Sequence, residues 1–230
     1  MSGSSRKPNN SKMPEAYREG WRDFYGLKFQ VSPEVLIPRP ETEQIIDMVL
    51  GLAGVPYLPG VKAAPVVVPK ENLRILDVGT GSGCIAITLK KLLPEAEVTA
   101  VDISDEALRV AQTNSERLGA EVKFVKSDLT DKTGVDFEII IANLPYVDKN
   151  WDWLDMEALG YEPSLALFAE DEGLELIKRL IDNVGSARLS SERFLILEAD
   201  PCQHEKIKKY ALGRGLEHIK TTGFILLFAI

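Results

Sequence analysis

Residues 74–84, "RILDVGTGSGC", decide the fold. An apolar run is followed by glycines at 79, 81 and 83, and the next residues, "CIAITLKKLL", have the composition of a buried helix. In parallel α/β sheets, ligands approach the turn between a strand and the following helix, and glycines there let the backbone come close to the ligand. The stretch therefore predicts an α/β domain with a ligand site at this turn.

Strand-like and helical runs alternate through the rest of the chain. The predicted strands are 73–79, 97–102, 121–128, 137–143, 193–199, 216–221 and 224–230, and the predicted helices between them are 84–93, 105–119, 172–184 and 202–213. This alternation predicts a doubly wound, mostly parallel seven-stranded sheet with helices on both faces. Only Thr222 and Gly223 separate the last two predicted strands, which is too short for a crossover, so the final strand is expected to be antiparallel.

Composition excludes several classes of function. The chain has 230 residues, 45% of them hydrophobic, with a formal net charge of -8. A general affinity for nucleic-acid phosphates or anionic membranes is not expected from that charge. The N-terminus has no hydrophobic signal segment and no apolar run is long enough to cross a bilayer, which predicts a cytoplasmic location. Cys84, Cys202, His204 and His218 lack metal-ligand spacing, so no metal site is expected.

The glycine loop favours a cationic cofactor over a dinucleotide. Position 84 is cysteine, so the G-x-G-x-x-G pattern is incomplete. Asp77, expected at the mouth of the loop, would repel a pyrophosphate but could balance the ammonium and sulfonium of S-adenosylmethionine. Asp102 follows Gly81 by 21 residues and ends the next strand, where a carboxylate can accept two ribose hydroxyls.

The third predicted strand ends in polar residues as well. Ser127, Asp128 and Leu129 are expected where they can contact the edge of the adenine ring of the cofactor. Each acid taken alone could be an ordinary strand-end or capping carboxylate. Together with the glycine loop, these acids resemble the site of class I S-adenosylmethionine-dependent methyltransferases, which implies their Rossmann-like fold.

The fourth predicted strand of the sheet ends in Asn143, Leu144, Pro145 and Tyr146. Two hydrogen-bond acceptors, the Asn143 side-chain oxygen and the Leu144 carbonyl, could receive both N–H bonds of a planar NH2 group, on which Tyr146 could stack. The turn resembles the Asn-Pro-Pro-Tyr motif of amino methyltransferases, with leucine in place of the first proline. The alternative is a turn that only terminates the strand.

Segments upstream and downstream resemble one group of amino methyltransferases more closely. Residues 24–46, "FYGLKFQVSPEVLIPRPETEQII", together with 160–181 and "LILEADPCQ" at 195–203, are similar to protein-(glutamine N(5)) methyltransferases of the HemK/PrmC group. The resemblance implies methylation of the Gly-Gly-Gln loop of peptide chain release factors. Members of the group usually carry an N-terminal helical domain, whereas here about two dozen residues precede "FYGLKF".

The resemblance also implies roles for individual residues. The expected acceptor-binding or catalytic residues are Asn143, Leu144, Pro145 and Tyr146, with Leu36, Arg39, Pro40 and Thr42 lying over cofactor and substrate. The expected cofactor-binding residues are Asp77, Gly79, Thr80, Gly81, Ser82, Gly83, Asp102, Ile103, Asp128, Leu129 and Asn143. The segment around "LIPRPET" could instead be a proline-stiffened link that caps the following helix.

Domain boundaries follow from these assignments. We expect a mobile tail or short N-terminal segment at 1–23, a hairpin, helix and linker covering the active site at 24–72, and the S-adenosylmethionine-binding domain at 73–230. The connection 149–170, with Trp151 and Trp153, is either a lid or docking surface, or a local helix packed by its tryptophans.

Two other functions stay open at this stage. One is a nucleic-acid amino methyltransferase acting on adenine or cytosine, which the basic run 206–215, "KIKKYALGRG", would suit. The other is a module that binds the cofactor without catalysis.

Overall fold

The N-terminal part of the chain forms a small unit ahead of the main sheet. The structure, a computed structural model, describes residues 12–55, 73–186 and 193–230. Helix α1 (Glu15–Glu19) precedes a hairpin of β1 (Trp21–Phe24) and β2 (Leu27–Gln30), and a 3-10 turn (Pro40–Thr42) leads into α2 (Glu43–Leu52). The predicted hairpin is therefore present, although it begins at Trp21, so the expected boundary between 23 and 24 falls inside β1. The residues predicted as a tail at 1–11 and most of the predicted linker, at 56–72, lie outside the described residues.

Strands and helices alternate in the rest of the chain as predicted. In order they are β3 (Arg74–Val78), α3 (Cys84–Leu92), β4 (Glu97–Asp102), α4 (Asp105–Leu118), β5 (Lys123–Lys126), β6 (Ile139–Ala142), α5 (Met156–Leu159), α6 (Ser164–Leu167), α7 (Glu170–Gly173), α8 (Glu175–Gly185), β7 (Phe194–Glu198), α9 (His204–Leu212), β8 (Glu217–Thr222) and β9 (Ile225–Ala229). A 3-10 turn, Pro201–Gln203, precedes α9.

The ends of α4 show why the sequence patterns placed helices correctly. The Ser104 side chain accepts a hydrogen bond from the Ala107 N–H, and Gly119 ends the helix with a left-handed backbone. Serine at the N-cap and glycine at the C-cap favour these two interactions, so the ends of α4 depend on residues next to the helix.

The seven-stranded sheet has the order β5-β4-β3-β6-β7-β9-β8. The first five strands in this order are parallel, and β9 is antiparallel to both β7 and β8. This confirms the predicted mostly parallel sheet with a final antiparallel strand. Strand order reverses between β3 and β6, and ligands bind at such a reversal, at the carboxyl ends of the strands.

Both faces of the sheet are covered. One hydrophobic core joins α2 and α3 to the sheet, with Ile45 and Ile46 fully buried, and a second joins α8 and α9, with Leu180 and Ile181 fully buried. All four residues of β6 are buried, which is why this strand reads as a continuous apolar run. Within the described residues, no helix is long and apolar enough to cross a membrane.

Candidate active site

A cavity of about 390 Å³ opens at the carboxyl ends of β3, β4, β5 and β6. The segment that precedes α2 lies across it, so the structure brings most of the predicted site residues together. Those lining the cavity are Leu36, Arg39, Thr42, Gly79, Thr80, Gly81, Ser82, Asp102, Ile103, Asp128, Leu129, Asn143, Leu144 and Pro145. The predicted residues that do not line it are Pro40, Asp77, Gly83 and Tyr146.

The glycine loop is shaped by left-handed backbone and by close packing. Gly81 has a φ of 55°, and a Cβ added there would meet nothing within 4 Å, so the loop leaves open space on the cavity side. Gly83 has a φ of 80°, and an added Cβ would come within 2.8 Å of the Ile87 side chain and within 3.1 Å of the Ala111 side chain on α4. Gly81 thus leaves room for a ligand, whereas Gly83 allows α3 to pack closely against its neighbours.

Asp77 lies beneath the glycine loop, whereas the sequence predicts it at the mouth of that loop. It belongs to β3 and is fully buried. Its Oδ2 accepts a hydrogen bond from the Thr80 hydroxyl (2.6 Å), while Oδ1 has no hydrogen-bond partner among the described residues. Burial raises the pKa of Asp77 to about 7, and hydrogen bonding to Thr80 opposes the rise.

Asp102 connects the glycine loop to the end of β4. Its Oδ2 accepts from the Gly81 N–H (2.9 Å) and its Oδ1 from the Ser104 N–H (2.9 Å). Burial raises the pKa of Asp102, and these backbone hydrogen bonds oppose the rise. Each carboxylate oxygen has further lone pairs, so Asp102 can still accept from a ligand diol. Ile103, which is about half exposed, offers an apolar surface beside it.

The end of β5 carries an ion pair that the sequence did not reveal. Arg179 of α8 donates to Asp128 Oδ2 (2.8 Å), and both residues line the cavity. Leu129 is buried with a φ of 45°, a left-handed conformation that is rare for leucine. No sequence signal distinguishes Arg179 from other charged residues on α8.

The turn after β6 holds Asn143 at the cavity and Tyr146 behind it. Asn143 Nδ2 donates to the Thr42 hydroxyl oxygen (3.2 Å) and thereby ties the turn to the segment that precedes α2. The Tyr146 hydroxyl donates to Glu198 Oε1 (3.4 Å), and the Tyr146 carbonyl accepts from Gln203 Nε2 (2.8 Å). The leucine that replaces the first proline of the motif, Leu144, is buried in the core.

The segment across the cavity is fastened by an ion pair. Arg39 pairs with Glu162, a nearly buried carboxylate that also accepts from the Ile37 N–H (3.1 Å). Arg39 therefore joins the two segments that lie over the site. Its side chain is one-third exposed and lines the cavity.

Glu198, at the end of β7, is a functional candidate that the sequence reasoning missed. It is the last residue of a fully buried strand. The signal was present, because a single acid at the end of an apolar run is the pattern that singled out Asp102.

The connection after the turn carries two stacked tryptophans. The rings of Trp151 and Trp153 are 5.1 Å apart at an angle of 20°, and Trp153 is 66% exposed. The two rings stack on each other in a stretch that precedes α5, so they do not form the expected tryptophan-packed helix, and the expected lid or docking surface stays a prediction.

Sheet order, glycine loop and carboxyl-end cavity define a class of fold, the Rossmann-like doubly wound α/β domain, and the chain is similar to methyltransferases that have this fold. Residues 64–156 match the family model "Methyltransferase small domain". A structure of the 16S rRNA N2 G1207 methyltransferase (RsmC) of T. Thermophilus, in complex with AdoMet and guanosine, superimposes with a TM-score of 0.62 at 18% identity, covering 91% of this chain and 50% of that one. At this identity the likeness shows the fold alone.

Proteins similar in sequence indicate a narrower group than the fold does. The chain is 46% identical over 175 residues to a protein of Koribacter versatilis and 41% identical over 171 residues to one of Lactococcus lactis, both named release factor glutamine methyltransferase. Each match covers 74% of this chain and 57% of the relative. The predicted resemblance to this group is confirmed, and the chain spans little more than half the length of these relatives.

Proposed function

We propose that the chain transfers a methyl group from S-adenosylmethionine to the side-chain amide nitrogen of a glutamine in a peptide chain release factor. One observation carries the proposal: the glycine loop and the Asn143 turn open into the same cavity, so cofactor and acceptor can meet there. The names of the relatives support the choice of acceptor.

The residues around the loop fit the cofactor. Gly81 leaves room on the cavity side, and Asp102 presents a carboxylate to a ribose diol. Asp77 lies under the loop, its Oδ1 has no hydrogen-bond partner among the described residues, and a cationic ligand bound above it would favour its charged form. When bound, S-adenosylmethionine supplies an electrophilic methyl group.

The acceptor turn would make an amide nitrogen reactive by orienting it. Asn143 donates a hydrogen bond from Nδ2 to the Thr42 hydroxyl oxygen, so its Oδ1 is left to accept one N–H of the substrate amide. The Leu144 carbonyl can accept the other N–H. These acceptors stabilise the positive charge that develops on nitrogen during transfer. Leu144 and Pro145 form an apolar wall that limits water, and the substrate nitrogen releases its proton after transfer.

A nucleic-acid base amine is the second candidate acceptor, because such amines also present two N–H bonds. The structure weakens the argument from the basic run. Lys206 pairs with Glu172, Lys208 with Glu205 and Arg214 with Asp182, so three cations of that run are already paired with acids. Phosphate binding requires an extended surface of unpaired cations, and these three residues do not form one.

The test is transfer of labelled methyl from S-adenosylmethionine to a release-factor fragment with the Gly-Gly-Gln loop. The matched control is the same fragment with glutamine replaced by glutamate, which lacks the NH2 group. We expect label on the first fragment and none on the second. Label appearing on RNA or DNA oligonucleotides but not on the fragment would refute the proposed acceptor.

A further inference from the structure

A fully buried asparagine on α4 lies next to the glycine loop and does not line the cavity. Asn114 shares a face of the helix with Ala107 and Ala111, which are also buried. An amide at such a position loses its hydration, so it opposes folding unless it is bonded inside the protein. Asparagine also disfavours a helix interior, because its side chain competes for backbone groups. The partners of Asn114 therefore show what this side chain contributes.

Both N–H bonds and the oxygen of the Asn114 side chain are used. Oδ1 accepts from the Gln30 N–H (2.7 Å), and Nδ2 donates to the carbonyl oxygens of Gln30 (2.9 Å) and Ser82 (2.9 Å). These partners fix which end of the amide is which, because a reversed amide would place N–H against N–H and oxygen against two carbonyls. Asn114 thus holds together two segments that are far apart in sequence.

These two segments form different parts of the cavity wall. Gln30 is the last residue of β2, and the chain continues from it into the segment across the cavity, where Leu36 and Arg39 line the site. Ser82 belongs to the glycine loop and also lines the cavity. One side chain on α4 therefore sets the position of the glycine loop relative to the start of the segment that lies across the cavity.

We propose that Asn114 is a positioning residue that couples the β1–β2 hairpin to the glycine loop, so that cofactor binding and the position of the hairpin depend on each other. A loop held in place by a bound cofactor fixes the Ser82 carbonyl, and through Asn114 it stabilises Gln30 and the hairpin. By linkage, a firmly held hairpin favours cofactor binding to the same extent. The inference rests on the proposed function for the identity of the ligand.

The hairpin also contacts α4 at a second place, which allows it to be loosened without changing Asn114. The Arg117 guanidinium lies 4.8 Å from the centre of the Trp21 ring and donates to the Lys28 carbonyl. Trp21 is paired with Gln30 in the hairpin. Truncating Trp21 therefore loosens the hairpin at Gln30 while every atom of Asn114 and of the glycine loop is kept.

Calorimetry with S-adenosylhomocysteine provides the first test. We expect Asn114→Ala to raise the Kd about tenfold, a typical size for coupling between two sites. The matched control is Ser115→Ala, which removes the neighbouring buried hydroxyl on α4 that donates to the Ala120 carbonyl. Both variants should lower the free energy of unfolding, but only Asn114→Ala should weaken binding. A wild-type Kd in folded Asn114→Ala, or an equal rise in both variants, would overturn the inference.

Hydrogen exchange provides a second test that needs no ligand and no change at Asn114. Trp21→Ala should speed exchange of the Val31 N–H, which is bonded within the hairpin unit (3.0 Å), and of the Gly83 N–H, which is bonded within the glycine loop (2.9 Å). The Leu216 N–H, bonded beside α9 (3.1 Å), is the control and should exchange at the wild-type rate. An unchanged rate at Gly83 would contradict the coupling, as would equal acceleration at all three amides.

The effect of the ligand on the hairpin shows whether the coupling runs through Asn114. Saturating S-adenosylhomocysteine should slow exchange of the Val31 N–H in the wild type, although Val31 does not line the cavity, and should not slow it in Asn114→Ala. Slowing that persists in the variant would mean that the coupling follows the chain through 31–39, and the role of Asn114 would be excluded. If the wild type binds no S-adenosylhomocysteine, the proposed cofactor fails, and exchange at Gly83 in ligand-free Trp21→Ala still decides the coupling.

Discussion

At the scale of the residue, polar side chains at the ends of apolar strands carry the site. Asp102 and Glu198 are the last residues of β4 and β7. Asp77 is the second-last residue of β3, and Asn143 directly follows β6. Each has a different task in the proposed function because its surroundings differ: Asp77 is buried under the loop, Asp102 is bonded to backbone amides, and Asn143 is bonded to Thr42.

Removing the Asn143 amide tests the acceptor site. We expect Asn143→Ala to reduce kcat by roughly 10²–10³-fold, the effect of losing one preorganised hydrogen-bonding group, with little change in cofactor affinity. Single-turnover methyl transfer measured beside cofactor titration separates the two quantities. Asn150→Ala removes an amide that is bonded only locally to Asp148 and should keep wild-type rates. Wild-type activity in Asn143→Ala would mean that the turn merely terminates β6.

The charge of Asp102 is a second test at this scale. Asp102→Asn keeps the size of the side chain but removes the charge and one acceptor, so both the loop contact to Gly81 and the proposed diol contact weaken. We expect S-adenosylhomocysteine to bind about 1.5–3 kcal/mol less tightly by calorimetry, the range for hydrogen bonds to charged groups. An unchanged affinity would exclude Asp102 from the cofactor site.

At the scale of the element, α7 supports the acceptor turn through its backbone. Gly173 has a φ of 79°, and a Cβ added there would lie 2.0 Å from the Tyr146 carbonyl oxygen. Gln203, from the 3-10 turn before α9, bonds both this carbonyl and that of Glu172 (2.9 Å). Two elements distant in sequence thus hold the backbone of the Asn143–Tyr146 turn from behind.

Gly173→Ala should therefore damage the turn as well as the backbone of α7. The matched control is Gly215→Ala, since Gly215 has a φ of 86° and nothing within 4 Å of an added Cβ. Both variants should lose about 1 kcal/mol or more of unfolding free energy from the left-handed conformation. Only Gly173→Ala should also lose methyl transfer, because it displaces Tyr146. Equal activity losses in both variants, measured beside chemical denaturation, would contradict this reasoning.

At the scale of the whole molecule, the buried acids make stability depend on pH. Burial raises the pKa of Asp77 to about 7, so in the folded protein it keeps its proton at pH values where the unfolded chain has lost it. The contribution of Asp77 to stability is therefore full below its unfolded pKa and is lost as the pH rises through about 7. Folding thus disfavours the ionised form of Asp77, which is the form that would balance the positive charge of the proposed cofactor.

Asp77→Asn should flatten this dependence. We expect the unfolding free energy of the wild type without ligand to fall between about pH 4 and pH 7 by roughly 1 kcal/mol or more, and to fall less in the variant. Chemical denaturation at several pH values measures the difference. Asp131→Asn, an exposed position, should follow the wild-type curve. A wild-type slope in Asp77→Asn would show that Asp77 is ionised in the folded protein across the range.

By itself the sequence determined the sheet, its helices and the position of the candidate site. These features depend on local patterns, namely apolar runs, glycines after β3 and polar residues at strand ends, and each pattern is contained in a short stretch such as 74–84. The short connection at Thr222–Gly223 was enough to fix the antiparallel direction of β9.

Only the tertiary structure decided how distant segments meet. The contacts of Thr42 with Asn143, Arg39 with Glu162 and Arg179 with Asp128 join residues far apart in sequence, and no local pattern specifies such partners. The depth of Asp77 and the burial of Glu198 were decided in the same way. Whether a strand-end acid faces water, a ligand or a neighbouring side chain depends on which elements pack over it, because desolvation and hydrogen bonding are set by the surrounding fold.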